Sequence, residues 1–150
     1  MSGDGQGSIV ICPSCGTKNR VRATAAGVPH CGNCKRALPW LTEAGEQSFG
    51  LVVEQSPLPV LVDFWAPWCG PCRMVEPVVE QMSRDLAGRL KVVRINSDET
   101  PRLSQRFQIL GIPTLILFEG GQVRDRVTGA VDATRMRRWI EPHLAVQKAT

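Results

Sequence analysis

The residues most able to do chemistry in this 150-residue chain are its six cysteines. They form three Cys-x-x-Cys pairs, which are Cys12 with Cys15, Cys31 with Cys34, and Cys69 with Cys72. Paired thiols at this spacing either ligate a metal ion or exchange with disulfides. The residues around each pair indicate which of these two kinds of chemistry applies.

Cys69 and Cys72 lie where a predicted strand turns into a predicted helix. Residues 59–64 form a short, almost continuous apolar run typical of a buried parallel strand, and apolar residues recur at helical spacing from Cys72 to about Leu86. Unpaired N–H groups and the positive end of the dipole at a helix N-terminus favour a thiolate. We therefore expect Cys69 to be the nucleophile and Cys72 to be the resolving thiol.

Pro71 bears on the direction of the reaction. Because proline has no N–H, one donor that could have stabilised a Cys69 thiolate is missing, and no histidine stands between the two cysteines. An oxidant needs a strongly stabilised thiolate, so this pair is predicted to reduce disulfides. A disulfide isomerase or oxidase is the alternative.

The two amino-terminal pairs have the spacing of a four-thiolate zinc site, with 15 residues between Cys15 and Cys31. A segment this short and polar has little core of its own and needs a metal to fold. One Zn²⁺ held by four cysteines is therefore predicted; its ligands are Cys12, Cys15, Cys31 and Cys34. The alternative is four reduced or paired cysteines without metal. Since four thiolates complete the site, His30 is predicted to be a surface residue.

The net charge of +4 arises entirely in residues 1–40, which hold five basic residues and one acidic residue. Zinc with four thiolates is negatively charged, so these cations are interpreted as neutralising the site. Nucleic-acid binding is the less favoured interpretation, because no aromatic residue is interleaved with the cations.

Length and composition predict one globular domain with a small appendage, since the chain has 150 residues of which 43% are hydrophobic. The start lacks the apolar region of an export signal, and no stretch has transmembrane length. A cytoplasmic location is expected, where cysteine pairs are metal ligands or redox catalysts more often than structural disulfides. We predict a disordered tail at 1–8, a zinc-ribbon module at 9–40 and a catalytic domain at 41–150.

The apolar periodicity beyond the ribbon predicts a βαβαββα order. The elements are a strand at 59–65, a helix at 70–86 with Pro77 inside it, a strand at 91–96, a helix at 100–107 capped by Thr100, strands at 115–118 and 122–128, and a final helix capped by Asp132. A short helix is also predicted to start at Thr42 and to bury Phe49, Leu51, Val52 and Val53.

This order, with Cys-x-x-Cys at the end of a strand, resembles the thioredoxin family over roughly residues 41–147. The motifs that carry the resemblance are residues 65–72 (Trp-Ala-Pro-Trp-Cys-Gly-Pro-Cys), Asp63, Pro77 and residues 111–114 (Gly-Ile-Pro-Thr). With its two further cysteine pairs, the whole chain resembles the zinc-containing bacterial thioredoxin 2 type. The resemblance implies an α/β thioredoxin fold, a central mixed sheet flanked by helices, preceded by a small zinc ribbon.

The resemblance also implies an activity and its partners. The chain is expected to be a thiol–disulfide oxidoreductase that reduces disulfides in proteins and is recharged by an NADPH-dependent thioredoxin reductase. It is expected to act as a monomer, with neither a membrane nor a nucleic acid as partner. The alternatives are a redox sensor or a partner-docking protein in which the zinc ribbon is primary, because zinc-bound thiolates lose their metal on oxidation.

Asp63 stands in an otherwise apolar strand, so burial should raise its pKa. Its role in the family is to help deprotonate Cys72; the alternative is a salt-bridged structural acid. Arg94 stands where the family commonly has lysine. Because arginine keeps its proton, it can tune Asp63 electrostatically but cannot relay a proton.

Pro113 resembles the cis-proline that faces the dithiol in this family. The exposed backbone of Ile112 is expected to pair with an extended substrate segment, as in strand addition. The resemblance predicts a shallow substrate groove around the dithiol, formed by Trp68, Gly70, Pro71, Ile112, Thr114, Gly129 and Ala130.

Overall fold

A mixed β-sheet organises the structure. The computed structural model describes residues 7–148, with side chains through Leu144. In chain order the elements are β1 (Ser8–Ile11), β2 (Lys18–Val21), β3 (Leu41–Glu43), a π-helical turn (Gly50–Glu54), β4 (Val60–Trp65), α1 (Gly70–Asp85), β5 (Lys91–Asn96), a 3₁₀ turn (Ser97–Glu99), α2 (Pro101–Arg106), β6 (Thr114–Glu119), β7 (Gln122–Thr128) and α3 (Ala133–Lys148). No helix in this part of the chain is long and apolar enough to cross a bilayer.

The five-stranded sheet has the order β3-β5-β4-β6-β7, and a separate hairpin is formed by β1 and β2. β4 lies at the centre, where it pairs parallel to β5 and antiparallel to β6. Helices cover both faces of the sheet. The predicted α/β fold with a central mixed sheet is therefore confirmed.

Alternation along β4 divides the core into two layers. Val60, Val62 and Phe64 belong to the cluster that packs against the π-helical turn and α2. Leu61 belongs to the cluster under α1 and α3, and Asp63 has the same parity in the strand. The strand therefore turns its one acidic side chain toward α1, the helix that begins at the dithiol.

The predicted helix start at Thr42 is wrong. Thr42 lies in β3 and pairs with Val93 of β5, because a free sheet edge at this place offers backbone hydrogen bonds that outweigh the local helix signal. The helical turn comes later, and Val52 and Val53 are buried as predicted. Leu51 was predicted to be buried, but 56% of it is exposed because the short turn directs it outward.

The amino terminus of α2 is capped by a distant residue. The predicted cap, Thr100, makes no side-chain cap bond, and its hydroxyl donates to the Asn96 carbonyl oxygen at 3.0 Å. Instead, the Glu46 carboxylate accepts the N–H groups of Arg102 and Leu103. A carboxylate satisfies these amides better than a hydroxyl because it is also favoured by the helix dipole.

Asp132 does cap α3 as predicted, since its carboxylate accepts the Arg135 N–H at 2.8 Å. At the other end of the chain, residues 1–6 of the predicted tail lie outside the described residues. Ser8, predicted to lie in that tail, instead begins β1 and pairs with Val21.

The amino-terminal ribbon has a small core of its own. It consists of Cys12, Val21, Cys31, Leu38 and Trp40, all 6% exposed or less. The ribbon joins the sheet directly, because the Val92 N–H donates to the Trp40 carbonyl oxygen at 2.8 Å immediately before β3 begins.

Lys91 is a fully buried cation at the boundary between the ribbon and the sheet. Its Nζ donates to the carbonyl oxygens of Ala23 and Val52, both at 2.6 Å, and lies 4.2 Å from the centre of the Trp40 ring. Ala23 belongs to the ribbon side of this boundary and Val52 to the π-helical turn. Burial lowers the pKa of Lys91 to about 8. One ammonium group thus joins the two parts of the chain.

The ribbon and the dithiol lie at opposite ends of the central strands. Lys91 begins β5 and pairs with Val60, the first residue of β4, whereas the dithiol follows Trp65, the last residue of that strand. Five residue steps in a strand correspond to about 17 Å. The two groups of cysteines are therefore separate sites.

The buried ammonium makes stability depend on pH in a defined direction. Since the pKa of Lys91 falls from 10.5 to about 8 on folding, the unfolded chain binds more protons between those pH values. The free energy of unfolding of the parent should therefore rise, relative to that of Lys91→Met, as pH increases through this window. Urea unfolding of both proteins from pH 7 to 11 checks this. A difference that stays constant with pH would contradict it.

Candidate active site and cysteine cluster

Cys69 and Cys72 form a disulfide at the amino end of α1. Cys69 is the N-cap residue, and its Sγ accepts the Cys72 N–H at 3.1 Å. Pro71 occupies the first turn and contributes no N–H, which leaves the Cys72 amide as the donor at this sulfur. The predicted placement of Cys69 at a helix N-terminus is confirmed.

The loop before β6 approaches the dithiol from the other side. The Ile112 carbonyl oxygen lies 3.8 Å from Cys69 Sγ, and the peptide bond between Ile112 and Pro113 is cis. The Pro113 carbonyl oxygen accepts the Gly129 N–H at 2.8 Å. These contacts gather three segments that are far apart in sequence around one pair of sulfurs.

The predicted groove residues differ in exposure. Trp68, Gly70, Pro71 and Ala130 are exposed around the sulfurs, whereas Ile112 and Gly129 are half-buried. Thr114 is only 2% exposed, and its hydroxyl donates to the Gly111 carbonyl oxygen. Because Thr114 turns inward to bond its own loop, it does not line an open surface.

Trp68 is held in its exposed position by Asp98, an acid that the sequence analysis did not predict at this site. It is 68% exposed, and its Nε1 donates to both carboxylate oxygens of Asp98, at 3.2 and 2.9 Å. Asp98 follows β5 and the dithiol follows β4. Since the carboxyl ends of neighbouring parallel strands meet at one edge of a sheet, this proximity was a signal that could have identified Asp98.

Asp63 is completely buried beneath the dithiol helix. Its Oδ2 accepts a hydrogen bond from Arg94 Nε at 3.2 Å, whereas Oδ1 is buried and has no hydrogen-bond partner in the part of the chain that the structure describes. Burial raises the pKa of Asp63 to about 6, and Arg94 opposes this rise. The pKa of Asp63 is therefore raised, as expected from its burial. The ion pair with Arg94, which the alternative interpretation as a salt-bridged structural acid requires, is also present.

Arg94 contacts a second carboxylate that was not predicted. Its Nη1 donates to Glu76 Oε2 at 3.3 Å, and its guanidinium carbon lies 4.5 Å from the centre of the Trp65 ring. Glu76 follows Cys72 by four residues and so lies on the same face of α1. That spacing is the signal by which Glu76 could have been found.

The four remaining cysteines converge in the ribbon, with all of their Sγ atoms within 4.8 Å of one another. Cys12 and Cys34 are 3.6 Å apart at their sulfurs, as are Cys15 and Cys31. A tetrahedral zinc ion with bonds of about 2.3 Å separates its sulfur ligands by about 3.8 Å. The donor set and its spacing therefore fit one metal ion.

Two asparagines support the sulfur cluster. Asn33 donates its backbone N–H to Cys31 at 3.4 Å, and its side-chain amide donates to Cys15 at 3.5 Å. Asn19 also donates to Cys31, at 3.5 Å, and accepts the Gly32 N–H at 3.0 Å. Hydrogen bonds of this kind orient metal-binding thiolates. Asn33 stands inside the second Cys-x-x-Cys turn, which was a local signal, whereas Asn19 lies in β2 and gave none.

Polar contacts at Cys15 favour its thiolate. The Thr17 hydroxyl, 3.2 Å from the sulfur, and the Asn33 amide lower the pKa of Cys15 to about 5. Lys35 lies beside the cluster, where its Nζ donates to the Gly32 carbonyl oxygen at 2.7 Å. His30 is exposed, as predicted, with its Nδ1 2.9 Å from the Val28 carbonyl oxygen.

The site combines a helix-capping cysteine, a second cysteine bonded to it and a buried acid under the same helix. Such a set of groups can exchange electrons with a disulfide and move the associated proton. The fold and the site together define a thiol–disulfide oxidoreductase.

Comparison with known proteins agrees with this class. Residues 44–142 match the model of the family described as Thioredoxin. Two similar proteins are Thioredoxin 1 of Nostoc sp., 50% identical over 66% of this chain and 92% of the relative, and Thioredoxin of Synechocystis sp., 50% identical over 68% of this chain and 95% of the relative. Thioredoxin C-3 of Corynebacterium nephridii is 38% identical over 93% of this chain and 98% of its own, so that match extends into the ribbon. The chain belongs to the thioredoxin family.

The raised pKa of Asp63 makes a prediction about stability. Because the folded value of about 6 exceeds the unfolded value of 3.8, the folded state binds more protons between them and loses stability as pH rises through that window. Asp63→Asn keeps the shape and removes the charge, so it should be more stable than the parent at pH 7 by about 3 kcal/mol. The advantage should disappear below about pH 4.

Guanidinium unfolding of both proteins from pH 3.5 to 7.5 measures this difference. Equal stability across the range would show that Asp63 ionises without a burial cost.

Proposed function

We propose that this chain is a protein-disulfide reductase that works by dithiol–disulfide exchange through Cys69 and Cys72. The observation that carries the proposal is the position of Cys69 as N-cap of α1, with its sulfur accepting the Cys72 N–H at 3.1 Å. A thiolate at this position is stabilised by the helix amides and dipole, and the thiolate is the form that attacks disulfides.

The first step joins the protein to its substrate. The Cys69 thiolate attacks one sulfur of a substrate disulfide, which breaks that disulfide, forms a mixed disulfide with Cys69 and releases the other substrate sulfur as a thiolate. Cys72 then loses its proton to Asp63 and attacks Cys69 Sγ. The bond between Cys69 and Cys72 forms, the mixed disulfide breaks, and the substrate has gained two electrons. Pro113 helps to shape the site beside the two sulfurs.

The surface around the dithiol supports binding of an extended substrate segment. The Ile112 carbonyl oxygen lies beside Cys69, and we propose that the backbone of this loop pairs with the substrate by strand addition. Trp68, Gly70, Pro71 and Ala130 offer exposed surface next to it. We propose that the same surface receives an NADPH-dependent thioredoxin reductase, which returns two electrons to the Cys69–Cys72 disulfide.

Substitution of the resolving thiol tests the order of attack. Cys72→Ser should accumulate a mixed disulfide between Cys69 and a protein substrate, because the second attack cannot occur. Cys69→Ser is the matched control and should form no mixed disulfide. Non-reducing mass spectrometry after mixing with a disulfide-containing protein measures both. Turnover by Cys72→Ser at the parent's rate would contradict the resolving role.

We further propose that the ribbon holds one Zn²⁺ through Cys12, Cys15, Cys31 and Cys34, as in the zinc-containing thioredoxin 2 type. The convergence of the four sulfurs and the amide donors from Asn19 and Asn33 support this. Bound metal would supply the ribbon with the folding energy that its small core lacks. The proposal also includes a ribbon module of residues 9–40, a catalytic domain of residues 41–150, a monomeric state and a cytoplasmic location.

The separation of the two sites favours a ribbon that senses oxidation or docks a partner over one that joins in the exchange reaction. The ribbon contacts the start of β5, whereas the dithiol follows the end of β4. Thiolates that hold a metal release it when they are oxidised, so the ribbon can report oxidation without contacting the substrate.

Bound metal and activity followed together in one peroxide titration distinguish these uses. If the ribbon is a sensor, zinc should leave at a low peroxide dose and disulfide reductase activity should change with it. If it is a structural or docking module, zinc should remain bound through the full loss of the Cys69 thiol. Metal analysis of the reduced protein before peroxide is the control, and an absence of zinc there would overturn the metal assignment.

A further inference from the structure

The ion pair under the dithiol is part of a larger arrangement in which one guanidinium lies between two carboxylates. Arg94 Nε contacts Asp63 at 3.2 Å, and Arg94 Nη1 contacts Glu76 at 3.3 Å. The exposed fractions of the three side chains are graded, with Asp63 at 0%, Arg94 at 13% and Glu76 at 45%. The arrangement therefore leads from the buried acid to the surface.

Strand alternation and helix spacing bring these groups together. Asp63 of β4 pairs with Arg94 of β5, and both face the layer under α1. Glu76 lies on that helix one turn after Cys72, so it meets Arg94 from above the sheet. On the opposite neighbour of β4, the residue paired with Asp63 is the apolar Leu115. Within the described residues, the charged groups that shift the pKa of Asp63 are Arg94 and Glu76, and the thiol on the same helix as Glu76 is Cys72.

The planar shape of the arginine makes this arrangement possible. The Arg94 guanidinium uses different nitrogens for the two carboxylates and lies over the Trp65 ring, 4.5 Å from its centre. Lysine, with a single nitrogen on a flexible stem, is a compact point charge and does not present such a fork. Glu76 therefore restrains the Arg94 guanidinium, which could otherwise donate more of its N–H groups to Asp63.

Asp63 retains an oxygen for proton transfer in this arrangement. Arg94 contacts Oδ2, and among the described residues Oδ1 is buried with no hydrogen-bond partner. A buried polar atom without a partner needs an explanation, and a role in accepting a proton supplies one. If Arg94 were released from Glu76, a second guanidinium nitrogen could turn to the carboxylate and stabilise its charged form.

We propose that Glu76 is a positioning residue for the resolving step, which holds one arm of Arg94 and thereby keeps Asp63 able to accept the proton of Cys72. The proposal rests on the proposed function, in which Asp63 deprotonates Cys72. In that step the proton passes to the Asp63 carboxylate, Cys72 bonds to Cys69, and the substrate sulfur leaves with the electron pair of the broken bond.

The electrostatics agree in sign with this role. Arg94 lowers the pKa of Asp63, and the negative charge of Glu76 raises it. Loss of the Glu76 charge should lower the pKa of Asp63. The carboxyl group would then ionise at lower pH, but the carboxylate would be a weaker base and would accept a proton less readily.

Glu76→Gln is the test, because it keeps the side-chain length and removes the charge. The carboxyl carbon signal of Asp63, followed by NMR during a pH titration of the reduced full-length protein, should show a pKa lower than that of the parent by about half a unit. Arg94→Gln should move the same signal in the opposite direction. Glu80→Gln, which removes the same charge one turn further along α1, is the matched control and should leave the signal unchanged.

Kinetics distinguish positioning from a general structural defect. Reduced protein is mixed with a synthetic peptide that contains one disulfide, and acid quenching with mass spectrometry follows the decay of the mixed disulfide. Glu76→Gln should resolve it about twofold more slowly than the parent at pH 7 and faster than the parent at pH 5. A structural defect would slow the step at both pH values.

These measurements distinguish failure of the proposed role of Asp63 from failure of the proposed role of Glu76. If Asp63→Asn resolves the mixed disulfide as fast as the parent does at pH 7, the proposed role of Asp63 fails. If Asp63→Asn is slow but Glu76→Gln leaves both the NMR titration and the pH profile unchanged, only the role of Glu76 is overturned. In an Arg94→Gln background, Glu76→Gln should have a smaller effect than in the parent, because its influence passes through Arg94. An undiminished effect would also overturn the positioning role.

Discussion

The pairing of β4 with a strand on each side is the constraint on which the rest of the structure depends. Hydrogen bonds to β5 and β6 hold the backbone of β4 throughout its length, and both of its faces are buried. Its direction and register are therefore firmly defined. The chain leaves this strand at Trp65 and reaches the amino end of α1 within a few residues, which places Cys69 at a helix N-terminus and Cys72 one turn further on.

The same burial creates an electrostatic conflict at Asp63. An acid in the middle of β4 must lose its hydration, and this opposes ionisation of Asp63. Arg94 reduces that cost, but full neutralisation by arginine would leave a carboxylate with little affinity for a proton. The contact between Arg94 and Glu76 divides the guanidinium between two acids. A moderately stabilised carboxylate costs folding free energy and in return can take up a proton near neutral pH.

The ribbon obeys a different constraint. Its core is small, and two of its four cysteines, Cys12 and Cys31, are among the buried residues of that core. It is attached to the catalytic part through Lys91, whose ammonium bonds carbonyl groups on both sides of the boundary. Because this attachment lies at the starts of the central strands, the length of those strands separates the ribbon from the dithiol.

By itself, the sequence determined the local features: three cysteine pairs at defined spacing, a strand that ends at a dithiol, a helix that begins there, and a cap at Asp132. Covalent neighbours and apolar periodicity are sufficient for these. Only the tertiary structure decided that Thr42 and Glu43 belong to a strand, that Glu46 caps α2, that Lys91 is buried and that Glu76 shares Arg94 with Asp63. Those outcomes depend on strand register and on contacts between residues far apart in sequence, where the free energy of pairing and burial outweighs local preference.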